Sequence, residues 1–130
     1  MKENEFAKYI TGMSRGVVVL DENLVGLEDE LRKENIKVII PRSKMTDDEI
    51  KYELLSHRIL VTNNSQDFIY DATAIEYGII ATENIKFKES KTLAKIISRA
   101  VIEFDLWSHQ SGFILHLMPD GNHRFEILPK

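Results

Sequence analysis

Val17-Val18-Val19-Leu20-Asp21-Glu22-Asn23-Leu24 runs four aliphatic residues straight into an acid. A strand this apolar, with no polar residue alternating, has both faces covered, as in the middle of a parallel sheet. Its carboxyl end is then where an open α/β sheet places ligands. An acid delivered there either caps the next helix or holds something charged. Arg58-Ile59-Leu60-Val61-Thr62 repeats the pattern and runs out into Asn63-Asn64-Ser65-Gln66-Asp67-Phe68. Between the two lies Thr46-Asp47-Asp48-Glu49-Ile50. Acids from three segments around one sheet edge suit a hard divalent cation.

The rest of the chain alternates in the same way. Lys37-Val38-Ile39-Ile40, closed by Pro41, and Gly78-Ile79-Ile80-Ala81-Thr82 are further short aliphatic strands. Leu24, Leu27 and Leu31 recur at helical spacing, with Glu28 and Arg32 as an i,i+4 pair outside. Thr46-Asp47-Asp48-Glu49 matches a capping box before Ile50 and Leu54. A short helix is expected over 67–77, and a long one over 90–106 with Leu93, Ile97, Ala100, Val101 and Phe104 on one stripe. Near the end, Asp120-Gly121 separates two apolar runs, 112–118 and 123–128, which reads as a hairpin. Phe125 and Ile127 alternate with Arg124 and Glu126, so the last strand should expose one face.

This order predicts an α/β fold with a mostly parallel central sheet, helices on both faces and a C-terminal antiparallel hairpin. The strand order should run 2-1-3-4, because adjacency of the first and third strands brings Asp21 and Asp67 together. Residues 1–16 read as a polar extension in which Phe6, Tyr9, Ile10 and Met13 have helical spacing.

Bulk properties fit one soluble domain. A chain of 130 residues, 43% hydrophobic and 29% charged, has an ordinary globular composition. No apolar stretch approaches the ~20 residues of a membrane span, and the polar start lacks a signal-peptide pattern, so a cytoplasmic location without membrane contact is expected. Zero cysteines exclude disulfides, thiolate zinc sites and cysteine nucleophiles. The net charge of −4 argues against a nucleic-acid binder, yet carboxylates at a metal site are neutralised once the cation binds. Lys86, Lys88, Lys91, Lys95 and Arg99 crowd one stretch, and Arg42, Lys44 and Lys51 flank the second acidic cluster, either as a local positive field or as a solvated helix face.

Each acid also has a structural explanation. Asp21 or Asn23 suits an N-cap, Asp47 and Asp48 suit the first turn of a capped helix, and Asp67 suits the cap of the helix it begins. Jointly they suit Mg²⁺ or Mn²⁺, which a few carboxylates hold while waters and substrate phosphates complete the shell. His57, His109, His116 and His123 fall at no recognised metal spacing. Trp107, Tyr9, Tyr70 and Tyr77 are candidates for stacking on bases or for the core.

The wording and order of these motifs resemble the PIN-like domain family. Leu20-Asp21-Glu22-Asn23-Leu24, Asp47-Asp48-Glu49-Ile50 and Leu60 to Phe68 are similar, in that order, to segments of compact PIN-like proteins related to VapC-type toxin nucleases. The closing hairpin, 112–129, continues the likeness, which covers residues 17–129 and places the domain at 17–130. The resemblance implies a three-layer α/β/α fold and a metal-dependent endonuclease for single-stranded RNA. It also implies the toxin role in a toxin–antitoxin pair, with an antitoxin protein as partner and a homodimer as assembly. By the same resemblance Asp21, Asp47 and Asp67 are catalytic. On this reading Asp21, Asp67, Asp47 and Asp48 would hold Mg²⁺ or Mn²⁺, while Thr62 and Asn64 would position substrate.

One departure matters: where the compact group has T-x-D, this chain has Thr62-Asn63-Asn64, although VapC-type T-x-N-x-x-D-F is matched by Thr62, Asn64, Asp67 and Phe68. An amide brings no charge to a cation, so a catalytically silent RNA- or protein-binding module is the alternative. A phosphoacceptor receiver-type domain also gathers acids at strand ends. It wants its acceptor Asp at the end of the third strand and a Lys just after the fifth, and neither is present here.

Overall fold

Strand pairing follows from the apolar runs. In the computed structural model, which describes residues 17–129 except 43, 86, 87 and 110, six strands form one sheet. They are β1 (Val17–Leu20), β2 (Lys37–Ile39), β3 (Ile59–Thr62), β4 (Gly78–Ala81), β5 (Phe113–His116) and β6 (Arg124–Ile127), in the order β2-β1-β3-β4-β5-β6. All neighbours are parallel except β5 and β6, which form the antiparallel hairpin. The expected order 2-1-3-4 is present, extended by the hairpin at β4. The helix expected within residues 1–16, and Lys86, lie outside the described residues.

Two apolar layers flank the sheet because successive strand residues face opposite sides. Val18, Leu20, Val61, Ile80 and Leu115 join one core, covered by a 3₁₀ segment (Glu22–Leu27), α1 (Glu28–Lys33) and the long helix α4 (Ser90–Glu103). Val19, Leu60, Ile79 and Ile114 join the other, beneath α2 (Asp47–Leu54) and the short α3 (Gln66–Ile69). This is the three-layer α/β/α arrangement.

Helix boundaries differ from the periodic reading in physically clear ways. The stretch from 24 to 31 begins as 3₁₀ before α1 takes over. Over 67–77 only α3 is helical, and turns follow it. The stripe from 90 to 106 breaks after Glu103, where Asp105 takes a left-handed φ of 49°, before α5 (Leu106–His109).

The hairpin turn is set locally. Gly121 has φ 79°, and Asn122 N–H donates to Asp120 Oδ1 at 2.9 Å. Along β6, Phe125 packs against Phe113, whereas Ile127 is 65% exposed and so is not covered as its alternation suggests. Gly78 opens β4 directly under the Phe113 ring, where any Cβ would collide.

Candidate metal and phosphodiester site

Strand parity builds the site. Leu20 is in register with Val61, and the Asp21 N–H donates to the Val61 carbonyl at 3.0 Å, so the next residues, Asp21 and Thr62, stand side by side. They lie at the carboxyl ends of β1 and β3. The chain leaves β1 toward β2 on one side, and β3 flanks β1 on the other. That makes the gap between β1 and β3 the topological switch point, the usual ligand crevice of such sheets.

Four of the expected residues form one hydrogen-bonded run there. Thr62 Oγ1 donates to Asp21 Oδ2 at 2.7 Å, and Asn64 N–H donates to Thr62 Oγ1 at 3.0 Å. The Asn64 side-chain amide in turn donates to Asp67 Oδ2. Asp21 and Thr62 are buried, while Asn64 and Asp67 face solvent. The capping alternatives at Asp21 and Asp67 are not realised. The 3₁₀ segment has no side-chain cap at Asp21, and α3 starts from Ser65 with none either.

Asp47 approaches from α2. Its helix starts at the same sheet edge with the capping box formed: Glu49 N–H donates to Thr46 Oγ1 and Thr46 N–H to Glu49 Oε1, both at 3.1 Å. Although Asp47 is exposed, its carboxyl is raised above its ordinary value, first by partial desolvation and then by the negative charges of Asp67 and Asp21. Lys51 pulls the other way, and Asp48 adds a smaller repulsion. Asp48 is likewise exposed in the same first turn. The three segments therefore share one electrostatic field. Among the described residues, however, no three Asp, Glu or His side chains close on a point as a ready-made cage.

Two residues support this arrangement, neither of which the sequence reading assigned to the site. Glu83, half-buried just after β4, accepts from Ser65 N–H at 3.0 Å and from Ser65 Oγ at 2.8 Å, which ties the start of α3 to the sheet. The rule that picked Asp21, an acid just past an aliphatic strand, applies to Glu83 as well. Lys51, one helical turn after Asp47, is 7% exposed. It donates to Asp71 Oδ2 at 2.9 Å and lies 5.5 Å from the centroid of the Phe68 ring. The Tyr77 hydroxyl donates to the Phe68 carbonyl and pins α3 from below.

The histidines stand apart from this crevice. His57 pairs with Glu76, His116 with Glu126, and His123 Nδ1 accepts from Met118 N–H at 2.9 Å. His109 packs on the Phe113 and Phe125 rings. Of the aromatics, Tyr77 is core and Tyr70 is 91% exposed. No helix among the described residues is long and apolar enough to cross a membrane. Compared with protein-family models, with curated proteins and with solved structures, the chain matches none.

Proposed function

We propose that the crevice between β1 and β3 is the active site of a divalent-metal-dependent endonuclease acting on single-stranded RNA, of the PIN-like type the sequence resembles. The observation that carries this reading is the run Asp21–Thr62–Asn64–Asp67 at the switch point, with Asp47 inside its field. The donor set fits a hydrated Mg²⁺ or Mn²⁺. Such ions take one or two direct carboxylates and keep water and substrate oxygens for the rest, so a closed three-acid cage is not required. Asp21 and Asp67 would be the direct ligands, with Asp47 and Asp48 acting through water.

The bound cation would supply charge neutralisation at the phosphodiester and a more acidic water. The protein's own contribution is positioning. Thr62 fixes the Asp21 carboxylate, Asn64 fixes Asp67, and the Glu83–Ser65 bonds hold α3 in place. The toxin role, the antitoxin partner, the homodimer and the cytoplasmic location enter with the resemblance as parts of this proposal.

Asn64 favours a second reading, a silent RNA- or protein-binding module. Its amide engages one oxygen of Asp67 and brings no charge of its own. Purified chain on a mixed RNA substrate separates the two. Cleavage that requires Mg²⁺ or Mn²⁺, stops with EDTA and is lost in Asp21→Ala supports the nuclease. Wild type and Asp21→Ala equally inert with both metals would leave the binding module as the better reading.

A further inference from the structure

A basic cavity occupies the end of the sheet opposite the acids. Arg32, Lys37, His57 and Arg58 line a space of about 570 Å³ with Val17 and Val38 in its wall. Val17 and Lys37 open β1 and β2, and Arg58 immediately precedes β3. The cavity is therefore one strand length, ~13 Å, from the acidic crevice. Its size lies in the range of small-molecule sites.

Its charge is unusual for a chain of net −4. Arg32 is paired with Glu28 at 2.9 Å and His57 with Glu76 at 3.2 Å. Arg58 is half-buried and donates to the Leu54 carbonyl at 2.8 Å. Among the described residues neither Arg58 nor Lys37 has a carboxylate at ion-pair distance. Both line the same cavity, so an anion bound there would meet two positive charges at once.

We infer that this cavity binds a phosphate monoester carrying a planar apolar group, the chemistry of a nucleoside monophosphate, free or as the phosphorylated end of an oligonucleotide. Arg58 presents a planar fork suited to phosphate oxygens, and Lys37 adds a mobile point charge. Half-buried Ile39, with the largely buried Val17 and Val38 beside it, offers the base an apolar edge. None of this depends on the nuclease reading, because no residue is shared between the two sites.

Calorimetric titration of the whole chain with adenosine 5′-monophosphate, adenosine and inorganic phosphate tests the inference. Adenosine 5′-monophosphate should bind saturably, adenosine should not, and inorganic phosphate should bind more weakly. Lys37→Gln, at an exposed position, should weaken binding about tenfold, the loss of one charge-assisted contact, and Arg58→Gln at least as much. Asp21→Asn should bind the nucleotide as wild type does. A 5′-phosphorylated oligonucleotide binding more tightly than its 5′-hydroxyl twin and than the mononucleotide assigns the site to nucleic-acid ends; the mononucleotide binding tightest assigns it to free nucleotide. Adenosine binding as well as its monophosphate, or undiminished affinity in Lys37→Gln, overturns the inference.

Discussion

Replacing Thr62 by Val removes one oxygen and leaves the volume nearly unchanged, so its effect isolates the hydroxyl. Thr62 is fully buried, and its Oγ1 both donates to Asp21 Oδ2 at 2.7 Å and accepts from Asn64 N–H at 3.0 Å. A hydrogen bond to a charged group contributes about 1.5–3 kcal/mol, and an orphaned, partly buried N–H costs about 1 kcal/mol. The extra buried methyl of Val returns about 0.8 kcal/mol. The expected net loss is about 2–3 kcal/mol. With a urea m-value of about 2 kcal/mol/M, the unfolding midpoint should fall by about 1–1.5 M. Thr62→Ser keeps the hydroxyl and gives up only the methyl, so it should lose about 1 kcal/mol. Mn²⁺ titration of the two variants should separate them further, since only the serine can hold the Asp21 carboxylate in place. A Thr62→Val protein within about 0.5 kcal/mol of wild type, or less affected than Thr62→Ser, would refute the reasoning. The methyl, not the hydroxyl, would then be what the position requires.

Asp47 should give a pH-dependent signature. Its carboxyl is raised above its ordinary value by partial desolvation and by the charges of Asp67 and Asp21, so the folded state holds the proton more tightly than the unfolded state. Stability from this group is therefore present in acid and is lost as pH rises through and above the ordinary carboxylate range. Asp47→Asn should be more stable than wild type near pH 7 without metal, with the advantage shrinking toward pH 3; thermal melts across that range, showing no convergence in acid, would contradict the assignment. Gly78→Ala should destabilise by about 1–3 kcal/mol, because the new methyl meets the buried Phe113 ring, which Phe125 and His109 hold in place. A urea midpoint equal to that of wild type would show that the ring can move aside.

The elements and their layering were written locally. Unbroken aliphatic runs at Val17–Leu20, Ile59–Thr62 and Gly78–Ala81 call for strands covered on both faces, and the structure buries every residue of all three. The capping box at Thr46 and the Asp120-Gly121 turn need only neighbours a few residues away, and both form as their sequences indicate. The end of α4 was not legible, because the apolar stripe continues to Phe104 while the helix stops at Glu103.

Whether Asp21 caps a helix or faces a crevice was undecidable from its own segment, since the same acid suits both. The pairing of β1 with β3 settles its partner by setting the Thr62 hydroxyl beside it from 41 residues away. Glu83 reaches Ser65 across 18 residues, and Lys51 reaches Asp71 across 20. The basic cavity likewise draws its lining from four separate segments. Periodicity and capping report on positions within a turn or two. Contacts between strand ends depend on register and strand order, so only the folded sheet determines which charged groups meet.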